Sequence, residues 1–165
     1  MARARLMRPR VSVVESALLP YPPEVVFRTA CDPQEQLRWD RASLRRIERL
    51  SPVALGVGAR YRAHFKGAGP VEFEFVEFDP PHRYTHLTTI PFGRMRHAFT
   101  FEPEPGGTRL RQEAELELGP LARLAAPLYA FVLRRRFRQL AEAVRRDLDG
   151  SVTPSSGEGG LGHER

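Results

Sequence analysis

The side chains in this sequence best suited to chemistry are a few polar groups set among apolar ones. His97 shares an alternating phase with Met95, Phe99 and Phe101, and Gln112 shares one with Leu110 and Ala114. Alternate residues of a strand point to one face. The Pro105-Gly106-Gly107 hairpin signal makes these two segments neighbouring strands. Tyr61 lies on the apolar phase of Arg60–Lys66, while Tyr84 and His86 belong to a segment, Arg83–Ile90, whose phase is ambiguous. A buried polar side chain must find a partner or a water. His97 and Gln112 therefore satisfy each other, lie at a wet sheet edge, or meet a ligand. Toward a ligand, His97 is a hydrogen-bonding group and the weak candidate for a catalytic acid or base on an enol, although no second residue fixes that role.

Other chemistries lack their signatures. The histidines at 64, 82, 86, 97 and 163 form no HExxH or comparable spacing, and the single cysteine, Cys31, cannot build a zinc site or an intrachain disulfide. No GxxxxGK[ST] or GxGxxG stretch offers a nucleotide cradle. We expect no metal and no cofactor. Cys31 reads as a small packed residue near a helix end. The aromatic pairs Tyr61/Phe65, Phe73/Phe75 and Phe99/Phe101 must be core, and any cavity is walled by such residues. Trp39 reads equally as core or as cavity wall.

These groups need a frame to position them. Pro120–Leu148 carries Tyr129, Leu133, Phe137, Leu140, Val144 and Leu148 at three- and four-residue steps, one stripe of a helix. Leu121, Leu124, Leu128 and Val132 make a second stripe about 150° away at about 100° per residue. A kink or restart at Pro127 accounts for both. Upstream, Val11–Leu18 is a first strand, followed by a short helix opening at Pro23 and a second at Pro33 with Asp32 as its N-cap. Six antiparallel strands follow, from Leu44 to Leu118. Val76 beside Phe75 marks a bulge that shifts the phase to Phe78.

The formal charge of +6 is concentrated at the ends. Residues 1–10 hold four arginines and no acid, and residues 119–150 hold seven against Glu142, Asp147 and Asp149. The middle is close to neutral, so no nucleic-acid footprint is indicated. Residues 1–10 read as a disordered basic arm, 11–149 as one domain, and 150–165 as a disordered Gly/Ser-rich tail. With no signal peptide, no membrane-length apolar run and a lone cysteine, the expected location is cytoplasmic.

The order of elements and several stretches resemble the START-like superfamily, also called SRPBCC, of the polyketide cyclase/dehydrase and birch-pollen-allergen type. The resemblance rests on Ala17–Phe27, on Asp32-Pro33 with Trp39, on Gly56–Arg60, on Glu77–Arg83 and on Phe101–Leu110. It implies an α+β helix-grip fold. A curved antiparallel sheet of about seven strands would wrap a long C-terminal helix, with two short helices after the first strand. It also implies a hydrophobic ligand cavity between sheet and helix. Placed on this chain, that cavity is lined by Trp39, Tyr61, Phe73, Phe75, Tyr84, His86, His97, Phe99, Gln112, Tyr129, Leu133 and Phe137. Three functions remain open: binding or transport of a small hydrophobic or aromatic ligand, an aromatase/cyclase-type enzyme, and an interaction module. The last would use its Arg-rich ends on an anionic membrane or a macromolecule. No obligate protein partner is inferred.

Overall fold

The computed structural model describes residues 10–67, 69–90, 93–119 and 121–152, without the side chains of residues 123 and 152. Residues 1–9 of the expected arm and 153–165 of the expected tail lie outside the described residues. Arg10 opens the first strand, and the last helix runs through Gly150 to Val152.

The strands are β1 (Arg10–Leu19), β2 (Leu44–Arg49), β3 (Arg60–Phe65), β4 (Pro70–Asp79), β5 (Arg83–Ile90), β6 (Gly93–Glu104) and β7 (Gly107–Leu118). They form one antiparallel sheet in the order β1-β7-β6-β5-β4-β3-β2. Between β1 and β2 lie α1 (Pro23–Cys31) and α2 (Pro33–Trp39), and α3 (Ala126–Val152) closes the chain. This is the α+β helix-grip arrangement that the element order implied. Pro23 opens α1, where a missing N–H costs nothing. Asp32 caps α2, its Oδ1 accepting from the Gln34 N–H at 2.8 Å.

Where alternation is clean, the register follows it. Along β7, Leu110, Gln112, Ala114, Leu116 and Leu118 are buried, and their neighbours are only partly covered. The β4–β5 register shifts between Phe75 and Glu77, which is the bulge expected at Val76. A second shift, between Leu44 and Arg46, explains the poor alternation in β2. Gly107 is obligatory, because a Cβ there would sit 1.9 Å from the Leu19 carbonyl oxygen.

The apolar stripes of the last segment behave unequally. A short 3-10 turn, Ala122–Ala125, precedes α3, and Pro127 falls in the helix's first turn, so the restart near this proline is present. Leu140, Val144 and Leu148 enter a core built with Val26, Phe27, Phe75, Tyr84, Phe101 and Leu110. Leu121, Leu124, Leu128 and Val132, expected to need burial through a kink, stand exposed instead. The restart does not bring the second stripe onto the sheet.

Candidate functional site

The interior face of the sheet places a polar cluster between two parts of the core. One part lies under α1, α2 and the second half of α3, and the other packs Val13, Ala114, Leu116 and Leu118 around Phe137. Between them the register sets His86 of β5 opposite His97 of β6, and Phe99 opposite Gln112 of β7. The ambiguous phase of β5 is thereby resolved, with Tyr84 and His86 turned to the same aromatic interior. His97 stacks on Phe137 of α3 with ring centres 4.4 Å apart and planes 13° off parallel, and it lies 4.0 Å from Phe99. His86 is set against Phe73 at 4.7 Å, Phe75 at 4.3 Å and Tyr84 at 5.1 Å.

Two imidazoles among rings are expensive to protonate. Burial pushes the His86 pKa down to about 3. His97 is held well below the usual range by burial first, then by His86 and Arg136, with Gln112 acting in the opposite direction. Both rings are neutral at pH 7. The Gln112 Nε2 donates to the Phe137 carbonyl at 2.9 Å, which ties β7 to α3 and orients the amide. Its Oε1, the His97 Nε2 and the His86 Nε2 are all buried and find no partner in the protein. His97 and Gln112 are close enough to influence each other, yet no hydrogen bond of acceptable geometry joins them. Buried polar atoms without partners are rare enough to need an explanation.

The other expected lining residues divide into two groups. Tyr61, Phe75, Tyr84, Phe99, Gln112 and Phe137 are closely covered by their neighbours. Trp39, Phe73, His86, Tyr129 and Leu133 keep accessible surface. The Tyr84 hydroxyl donates to the Ala30 carbonyl at 3.0 Å, and burial raises its pKa well above the phenol range. It is committed to holding α1 on the sheet. The Trp39 Nε1–H likewise donates to the Thr29 carbonyl at 3.1 Å. Cys31 is packed, its thiol pushed up to about 12 by burial and then by Asp32.

Two features went unread in the sequence. Glu15 stands on the helix-facing phase of β1, opposite Gln112, and accepts from Arg138 at 3.2 Å. The alternation of Val11, Val13, Ala17 and Leu19 around it was the available signal. With Ser16, Ala17, Gln112, Phe137 and Arg138 it lines a groove of about 330 Å³ between the sheet edge and α3. The second feature is a clamp. Arg136 makes a two-armed ion pair with buried Asp40, reaches the Ser43 hydroxyl, and lies 5.2 Å over the Phe65 ring. Gln36 completes the shell of Asp40 at 3.0 Å.

The family profile described as "Polyketide cyclase / dehydrase and lipid transport" matches residues 10–149. The chain belongs to this family. Among solved structures, TTHA0849 from Thermus thermophilus is similar at TM-score 0.70 and 22% identity, over 86% of this chain and 99% of that one. Ara h 8.0201 is similar at TM-score 0.72 and 15% identity, over 86% and 99%. DynU16, from the dynemicin biosynthetic locus, is similar at 0.65 and 16%, over 87% of this chain and 49% of that one. At these identities the likeness carries the fold alone. No curated protein matches the sequence significantly. Among the described residues, no helix is long and apolar enough to cross a membrane.

Proposed function

We propose that this family member binds a small, uncharged, largely apolar or aromatic ligand between the sheet and the first half of α3. The observation that carries this reading is the set of orphaned atoms, the His86 Nε2, His97 Nε2 and Gln112 Oε1, in an otherwise aromatic interior. A hydroxyl or carbonyl on an apolar skeleton would satisfy them, and the rings would supply the remaining contact. His86 is surrounded by protein deeply enough to lose its charge, yet the residue is not fully covered, as expected at the wall of an internal space. A carboxylate ligand is disfavoured, because both imidazoles are neutral and the guanidinium of Arg136 is committed to Asp40.

The aromatase/cyclase reading draws on the family description and on the biosynthetic setting of DynU16. The environment of His97 weighs against it as proton shuttle, since an effective acid or base has a pKa near the working pH. Orientation of a reactive chain by shape would be left to do the catalysis.

Titration with naphthol and its carboxylate analogue naphthoate, followed by fluorescence, tests the binding reading. Naphthol should bind at least about tenfold more tightly, and His97→Phe should weaken naphthol by about tenfold without lowering stability. Equal affinity for the two probes, unchanged in His97→Phe, would contradict it.

A further inference from the structure

We propose that the apolar ridge at the start of α3 docks on an anionic membrane surface. Leu121, Leu124, Leu128, Phe131 and Val132 are between 52% and 89% exposed, and they follow one another from the residue before the 3-10 turn through the first two turns of α3. Scattered surface apolar residues need no explanation, whereas a contiguous group of leucine and phenylalanine marks an interaction site.

Charge identifies the occupant. Residues 119–141 hold five arginines and no acidic residue. Arg134, Arg135 and Arg138 are exposed, beginning two residues, roughly 3 Å of helix rise, beyond Val132. Arg138 is engaged with Glu15, but Arg134 and Arg135 have no acidic partner among the described residues. The helix also has no acid in its first turn, so the positive end of its dipole is uncompensated. An apolar tip with an arginine collar behind it matches the acyl boundary and headgroup layer of an anionic bilayer.

Other covers fit less well. A two-fold contact with a second copy would bring Arg134 and Arg135, which have no acidic partner among the described residues, toward their own copies, repelling like charge. Of the chain outside the described residues, 153–165 contains one leucine, and 1–9 would add three more arginines. Docking on a membrane stands independently of the ligand reading, since neither His86 nor His97 takes part in it.

Co-sedimentation of the full chain with phosphatidylcholine vesicles, with and without phosphatidylglycerol, tests the proposal. Binding is expected to the anionic vesicles and to fall as salt rises. It should weaken about 30-fold in the Arg134→Gln/Arg135→Gln pair. Leu124→Asn/Phe131→Asn should weaken it at least about tenfold, and these exposed positions should leave thermal stability unchanged. No binding to anionic vesicles, or binding that survives the apolar pair, overturns the proposal. So does a dimer by light scattering that the apolar pair dissolves.

Discussion

The two halves of the C-terminal helical segment share one chain direction and are seated in opposite ways. From Arg136 onward, α3 is pinned on every side: Arg136 to Asp40, the Phe137 carbonyl to Gln112, Arg138 to Glu15, Asp147 to Arg38 and Asp149 to Tyr21. Leu140, Val144 and Leu148 fill the core beneath those ties. Among the described side chains of residues 121–135, none makes a hydrogen bond or ion pair. The residues facing inward there, such as Tyr129 and Leu133, are only partly covered. One half of the segment holds the fold together, and the other is loosely seated, with Leu121, Leu124, Leu128, Phe131 and Val132 exposed.

Phe137→Ala removes a buried ring that stacks on His97 and should cost about 4 kcal/mol in guanidinium unfolding. Leu128→Ala on the exposed stripe should change stability by no more than about 0.5 kcal/mol. Similar losses for the two would end the distinction between the halves.

Next in size is the clamp. Asp40→Ala leaves the Arg136 guanidinium, a largely covered group, without its partner, and the expected loss is about 3 kcal/mol. Hydrogen exchange should then show faster opening around residues 136–140 and little change at 126–132. Loss spread evenly along α3 would mean that the clamp does not separate the halves.

The His86 pKa falls from 6.5 to about 3 on folding, so the unfolded chain takes up the proton first. Stability is therefore retained above pH 6.5 and lost as pH falls toward 3. At pH 5 this amounts to about 2 kcal/mol. His86→Phe abolishes the term, so its stability relative to the parent should rise by about that amount between pH 7 and pH 5. Parallel pH profiles for the two proteins would contradict the burial of this ring.

Most of the frame was legible because its signals are local. The Asp32-Pro33 start of α2, the hairpin at Gly106-Gly107, the Val76 bulge and the alternation of β7 each follow from steric or hydrogen-bonding demands of neighbouring residues. The seating of α3 was not, because periodicity reveals that Leu121, Leu124, Leu128 and Val132 share a stripe without revealing what covers it. The polar cluster was half visible. His97 and Gln112 could be placed on one face, whereas Arg83–Ile90 alternates too weakly to orient His86. Glu15 and the Asp40–Arg136 clamp join residues 123 and 96 positions apart, and no local rule pairs them.

The most direct test of the central claim is native mass spectrometry of freshly purified protein, with extraction and identification of whatever denaturation releases. The expected result is a discrete adduct, lost on unfolding, that yields an uncharged apolar molecule bearing a hydroxyl or carbonyl. That adduct should diminish in His97→Phe. A clean mass for the bare chain, together with no uptake of naphthol, would contradict the claim that the orphaned His86, His97 and Gln112 atoms await a ligand.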